Sequence, residues 1–294
     1  MNRALGASLG LLADRAVGEP RVEPHPIALL GDLLVRVERR MWKTSRARGA
    51  AFALMGTSIG AGAGAVLGST GVATYVSTSG RMLGDSAREV ARALGRGDLE
   101  GARALLPTLV GRDPSSLGVD EIARAVVESV AENTVDAVVA PALWGAVAGA
   151  PGALGHRALN TLDSLVGHRS ERYEQFGWAS ARADDVAAWI PARATALLVA
   201  TARPARVADV WRIVRRDAPA HPSPNAGVAE AAYAAALDLR LGGTNRYGER
   251  LEERAEMGDG KPPSIADIER AVTLLRDVTL VLAGVLGAVG AARR

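Results

Sequence analysis

Residues 50–76 read AAFALMGTSIGAGAGAVLGSTGVATYV, a run without a charged side chain. About 20 apolar residues cross the hydrocarbon of a bilayer, so this run predicts a transmembrane helix. Within it Gly56, Gly60, Gly64 and Gly68 recur at every fourth position, which lines one helix face with glycine. In a soluble helix each such glycine costs about 1 kcal/mol relative to alanine. In a membrane the same stripe lets a second backbone approach closely. A glycine pattern starting at Gly60 is near a dinucleotide-binding fingerprint, but no strand precedes it, and that pattern needs a strand–turn–helix setting.

Other apolar stretches extend the membrane reading. Residues 1–17 are apolar up to Asp14. Residues 137–155 are uncharged but hold Pro141 and Pro151. Residues 186–202 are interrupted by Arg193, and residues 278–291 extend back past Arg276 and Asp277. Broken, charge-bearing segments suit helices that line a protein-enclosed space at membrane depth. The expectation is an all-α, polytopic integral membrane protein with three to five transmembrane helices, residues 1–294 forming a single domain. No long stretch alternates apolar and polar residues with period two, so no sheet is expected. The N-terminus has no ordered cleavable signal and reads as retained. Arg36, Arg39, Arg40, Lys43, Arg46 and Arg48 precede the glycine-rich run, and the positive-inside rule places that end in the cytoplasm.

The polar stretches also read as helical. Asp120 caps a helix over 121–131, residues 81–106 carry helical spacing, and residues 226–239 form an alanine-rich helix stopped at Gly242 and Gly243. Ser264 and Asp267 form a capping-box pattern ahead of Ile265, Ile268, Val272 and Leu275.

Composition narrows the chemistry. The 294 residues include no cysteine, only 4% aromatics and a formal net charge of +3. Disulfides, thiolate metal sites and cysteine nucleophiles are excluded. No basic patch is interleaved with aromatics in the way single-stranded nucleic acid requires, and nucleic acid is not an expected partner. Nearly all the positive charge is arginine, the lysines being Lys43 and Lys261. Planar guanidinium forks suit phosphates and carboxylates. Neither lysine follows a phosphate-loop glycine pattern.

Three regions concentrate candidate functional groups. His25 and His221 sit in proline-punctuated loops, EPHP at 23–26 and AHPSPN at 220–225, where fixed backbone angles hold a ring in place for anion binding or proton transfer. Glu128, Glu132 and Asp136 are spaced i, i+4, i+8 and would share a helix face, a costly arrangement unless a cation offsets it. Magnesium, which takes one or two carboxylates with phosphates and water, fits such a row. The densest polar segment, HRALNTLDSLVGHRSERYEQFGWASARADDVAAWIPAR at 156–193, lies between apolar stretches, where buried charge is expensive unless paired or used.

Five blocks stand in order: GEPRVEPHP at 18–26, ESVAENTVDAVVAPALW at 128–144, the 156–193 segment, RDAPAHPSPNAGVAEAA at 216–232 and LGGTNRYG at 241–248. Together they resemble the adenosylcobinamide-phosphate synthase family of cobalamin biosynthesis, the CobD/CbiB type, over nearly the whole chain. The sequence departs from that family's usual pattern at Glu19, Ala137, His156 and His168, and it lacks an Arg-Pro near Arg254 and Ala255.

The resemblance implies a ligase of the bacterial inner (plasma) membrane that spans it several times. It implies use of ATP and Mg²⁺ to join aminopropanol, or its O-phosphate, to adenosylcobyric acid, in the company of other late cobalamin-assembly membrane enzymes and the lipid bilayer. On that expectation Glu132, Asp136 and Asp163 are metal ligands, with Asp184 and Asp185 as further candidates. Arg157, Arg169, Arg172 and Arg182 hold phosphates or the propionate. Asn133, Asn160 and Asn225 orient substrate with His25, and His221, Asp163 and Asn160 are the catalytic candidates. Two rival readings fit the sequence less well. A non-catalytic membrane sensor would not need the NTLD and HPSPN blocks, and an anion transporter with broken helices would carry an internal repeat, which the chain lacks.

Overall fold

The computed structural model describes residues 2–20, 25–111, 113–168, 170–247 and 250–293. It is helical almost throughout. The chain divides into two compact units, the first built from Met1–Ser79, Asp136–Pro191 and Leu282–Arg294, the second from Gly80–Val135 and Ala192–Val281. Three helical stretches are long and apolar enough to cross a membrane, Arg46–Leu67, Val119–Val166 and Ile265–Ala292. The protein is therefore an all-helical membrane protein, in agreement with the sequence.

The first unit contains α1 (Arg3–Val17), α2 (Pro26–Met41), α3 (Arg46–Leu67), α4 (Thr70–Ser77) and α8 (Ala140–Val166). The glycine stripe does what its spacing predicts. A Cβ on Gly60 would lie 2.5 Å from Ala158 Cβ and 2.6 Å from the Leu154 carbonyl oxygen, and one on Gly56 would lie 2.8 Å from Leu162 Cδ1. The two helices meet backbone to backbone because α3 has no side chains along that line. Toward the start of α3, Phe52 and Phe176 stack with ring centroids 5.1 Å apart, in a core shared with Leu34, Leu162 and Val166.

The uncharged run 50–76 is not one helix. Gly68 adopts a left-handed conformation, φ 67°, and ends α3, and the Ser69 hydroxyl accepts from the Val72 N–H to start α4. A left-handed glycine followed by a capping serine is a local stop-and-start signal. α4 then packs against α1 and α8. Helix α8 kinks where Gly149 takes φ 73°, two residues before Pro151.

The second unit contains α5 (Gly80–Gly95), α6 (Leu99–Leu105), α7 (Val119–Thr134), α10 (Val207–Asp217), α11 (Ala226–Leu237) and an antiparallel hairpin of β1 (Leu241–Tyr247) and β2 (Arg250–Met257). Every residue of α11 is buried, as an alanine-rich helix apolar but for Glu230 and the Tyr233 hydroxyl requires. Its one phenol, Tyr233, shares a 2.7 Å hydrogen bond with the Thr134 hydroxyl. α11 stops at Asp238, which takes φ 57°, short of the expected glycines. The hairpin corrects the expectation of no sheet. Gly242 and Gly243 have φ 86° and 84°, and the Gly242 N–H donates to Glu128 Oε1 at 2.9 Å.

Capping is only partly as read. α7 starts at Gly118, whose N–H donates to the Glu121 carboxylate at 2.7 Å, so Asp120 lies in the first turn rather than at the cap. The Ser264 N–H and hydroxyl both donate to Asp267 Oδ2, at 2.9 and 2.7 Å, opening α12 (Ile265–Ala292) as predicted. α9 (Trp178–Ala202) and α12 each have residues in both units.

In the second unit Asp217 accepts from Arg216 Nε at 2.5 Å and from the Gly258 N–H at 2.9 Å. The Arg216 hydrogen bonds hold the Asp217 carboxyl below the usual carboxylate range. A carboxyl whose pKa falls on folding stabilises the fold above its unfolded value, near 3.9. That stabilisation is lost as pH falls through the lower folded value. Asp217→Asn is therefore expected to melt below the wild type at pH 7, with the gap closing as pH is lowered through about 4 toward 3. Thermal unfolding in detergent across that range checks this, and a gap constant with pH would refute it.

Candidate functional site

In the first unit, residues from separate blocks converge where Asp136, just ahead of α8 in the chain, meets Asn160 in the second half of that helix. Between α7 and α8 in the chain lies a π-helical turn, Val135–Val139, and such turns commonly mark functional positions in helices. This turn holds Asp136, which accepts from Asn160 Nδ2 at 3.4 Å. Arg157, three residues before Asn160 on α8, interacts electrostatically with Asp136 and with Glu19 of the first block. Its Nε is buried with no hydrogen-bond partner. The neighbouring His156 is buried, and neither ring nitrogen has a partner. A half-buried guanidinium that interacts with two carboxylates keeps a cation where an anionic ligand can meet it.

Asp163, one turn after Asn160, faces Asp185 and His168. Two carboxylates within reach of one another repel, and Arg182 Nη1 lies 3.9 Å from Asp185 Oδ2. Asp184 is also buried. Among the described residues no three His, Asp or Glu side chains are grouped closely enough to hold a metal ion. Asp163 and Asp185 offer two carboxylates, the number magnesium takes beside phosphates and water.

Arg172 stands apart. Its Nη2 donates to the buried Glu38 at 3.0 Å, and its guanidinium stacks over Trp42 at 4.5 Å. Tyr173 also donates to Glu38, at 3.1 Å. His25 is the N-cap of α2, its Nδ1 accepting from the Ile27 N–H at 3.3 Å, a structural task for a residue expected to bind substrate. The His–Pro pair at the cap and first helical position is the signal for it. Arg169 lies outside the described residues.

The second unit gathers the remaining blocks. The Ser223 N–H donates to His221 Nδ1 at 3.0 Å, and Nε2 of the same ring lies 3.6 Å from Glu230 Oε1. Glu230, the lone acid of α11, was not singled out in the sequence, although a single carboxylate in an alanine-rich helix is the visible signal. Arg193 donates to Asn225 Oδ1 at 3.0 Å, and Asn133 Nδ2 donates to the Ser129 carbonyl at 2.9 Å.

The members of the expected acidic row have different surroundings. Glu128 is buried and engaged by Gly242, with Arg124 Nε 3.9 Å away, while Glu132 is exposed. Asp136 lies within the π turn Val135–Val139, which interrupts the α-helical spacing of the row.

An all-helical membrane protein with guanidinium, amide and carboxylate groups gathered inside one unit is the class these features define. The profile of the CobD/Cbib protein family matches residues 7–275. A cobalamin biosynthesis protein CobD of Mycobacterium tuberculosis is 46% identical over 289 residues, covering 94% of this chain and 92% of that protein. The CobD of Rhodobacter capsulatus is 40% identical over 311 residues, covering 98% of each. That of Halalkalibacterium halodurans is 37% identical over 292 residues, covering 92% and 91%. No solved structure matches. The chain belongs to the CobD/Cbib family.

Proposed function

We propose that this chain acts in cobalamin biosynthesis as an ATP-dependent ligase, joining (R)-1-aminopropan-2-ol or its O-phosphate to the free propionate of adenosylcobyric acid. The observation that carries the reading is the hydrogen bond of Asn160 to Asp136, with the half-buried Arg157 interacting electrostatically with Asp136 and Glu19, residues drawn from three sequence blocks. The relatives' shared name, cobalamin biosynthesis protein CobD, supports the pathway. The three long apolar helices support a multi-pass place in the bacterial cell membrane.

A carboxylate does not yield to an amine until its oxygen becomes a better leaving group. Transfer of the γ-phosphoryl of ATP to the propionate supplies that as an acyl phosphate. Attack of the amine nitrogen on the acyl carbon then forms the C–N bond, releases phosphate and sheds a proton. Phosphoryl transfer is served mainly by positioning and charge neutralisation. In this reading Arg157 and Arg182 hold phosphate or propionate oxygens. Asp136 and Asn160 orient Arg157 and the substrate. Asp163 and Asp185 hold magnesium, which would relieve their mutual repulsion and neutralise phosphate charge. Glu132 and Asp184 remain supporting candidates. His221, with Nδ1 engaged by Ser223 and Nε2 turned to Glu230, takes a positioning role for the loop that carries Asn225.

The test is product formation by purified, detergent-solubilised protein given adenosylcobyric acid, ATP, Mg²⁺ and each amine in turn. ADP release and a product mass one amide linkage heavier are expected only with corrinoid and amine together. ATP left unconsumed under those conditions overturns the reading. Asp163→Asn is expected to raise the Mg²⁺ concentration needed for half-maximal rate about tenfold or more, as losing a carboxylate from a two-carboxylate site implies. An unchanged magnesium curve would remove Asp163 from the metal.

A further inference from the structure

We infer that α2 and the segment leading into α3 form a docking surface for an anionic phospholipid of the bilayer, independent of the ligase reading. α2 buries only Leu34 and Glu38. Its outward stripe follows helical spacing: Leu29 and Leu33, exposed by 51% and 40%, then Arg36 and Arg40, both exposed. Arg39, Lys43, Arg46 and Arg48 are exposed as well.

Between residues 36 and 48 the only acid is Glu38, and it is buried and already engaged by Arg172 and Tyr173. The charge of this stretch is therefore uncompensated by its own carboxylates, and the next acid on α2 is the exposed Asp32, toward the N-terminus. Arg46 begins the apolar helix Arg46–Leu67 that is long enough to cross a membrane, so the basic groups stand at the level of the lipid headgroups. Trp42 and Trp178 flank them, with Arg172 over the first ring at 4.5 Å and Arg46 over the second at 5.4 Å. Tryptophan is enriched at that depth.

A cavity of about 230 Å³ opens beside Arg39 and Arg172, lined also by Val35, Leu165, Tyr173 and Glu38, whose carboxylate is taken up by Arg172 and Tyr173. Its mixed lining suits a phosphodiester with the start of an acyl chain. An apolar half followed by a basic half, on an amphipathic helix abutting a membrane span, is complementary to a negatively charged lipid surface. Each basic residue near such a surface strengthens attachment by about fivefold.

The full chain in neutral detergent is titrated with short-chain phosphatidylglycerol and, separately, with short-chain phosphatidylcholine, followed by tryptophan fluorescence. Phosphatidylglycerol is expected to bind at least tenfold more tightly, and its advantage should shrink as salt rises. The combined variant R36Q/R39Q/R40Q/K43Q is expected to lose at least tenfold in phosphatidylglycerol affinity while its phosphatidylcholine response stays unchanged. Equal affinity for the two lipids in the unaltered chain at low salt overturns the proposal, and this arm decides even if the variant fails to fold. A folded variant that keeps its preference also overturns it. So does reproduction of the response by inorganic phosphate or glycerol 3-phosphate at matching concentrations, which would assign the surface to a soluble anion.

Discussion

Asp136→Asn is expected to slow ATP-dependent coupling of amine to corrinoid by about 100-fold or more, the usual scale for removing a preorganised charge from a reacting centre. The substitution keeps the size of the side chain and removes its charge. Arg157 then loses one of the two carboxylates it faces. The Asn160 amide, 3.4 Å from Asp136 Oδ2, loses an ionic acceptor and is freer to turn. The guanidinium would no longer be aimed at the phosphate or propionate, so the loss should fall on the maximal rate more than on amine affinity. Initial rates at saturating ATP, corrinoid and amine check this. Asp136→Glu, which restores the charge one methylene farther out, should recover part of the loss. A rate within threefold of wild type for Asp136→Asn would remove this cluster from the chemistry.

Gly60→Val is expected to destabilise the first unit by about 1–3 kcal/mol or more, the range for overfilling a packed contact. A Cβ there has nowhere to go, being 2.5 Å from Ala158 Cβ and 2.6 Å from a backbone oxygen. Two helix backbones would have to part, and the neighbouring contact of Gly64 with Ala150 and Pro151 would open with them. Gly62→Val is the matched control, since a Cβ at Gly62 meets nothing within 4 Å. Both changes put the same β-branched residue into the same helix, so the difference in melting temperature between them isolates packing from helix propensity. Equal melting temperatures would mean that α3 and α8 are not held at backbone contact.

Local signals survived the passage from sequence to structure. Period-four glycines, the Ser264–Asp267 cap and the alanine-rich helix through Tyr233 each depend on residues within a turn or two of each other. The hairpin did not announce itself, because RLEERAEM at 250–257 is made of strong helix formers and LGGTNRY at 241–247 has no alternating face. Its start is set by the tie from Gly242 to Glu128, 114 positions away in sequence.

The role of each polar residue was the least legible part. His25 and His221 look alike in sequence, each beside a proline, yet one caps α2 and the other faces Glu230 across a loop. Arg157 and Arg172 look alike too, yet the first is placed among Asp136 and Glu19 while the second is stacked on Trp42 and spent on Glu38.

The amino-acid sequence by itself determined a helical membrane protein, its glycine-lined contact face and its family, because periodicity, capping and motif order are properties of neighbours along the chain. Only the tertiary structure decided where the uncharged run breaks, that Glu128 is tied to Gly242 of the hairpin, and which guanidinium interacts with Asp136 and Glu19. Those outcomes depend on groups brought together from distant positions, and no local pattern encodes the free energy of contacts that do not yet exist.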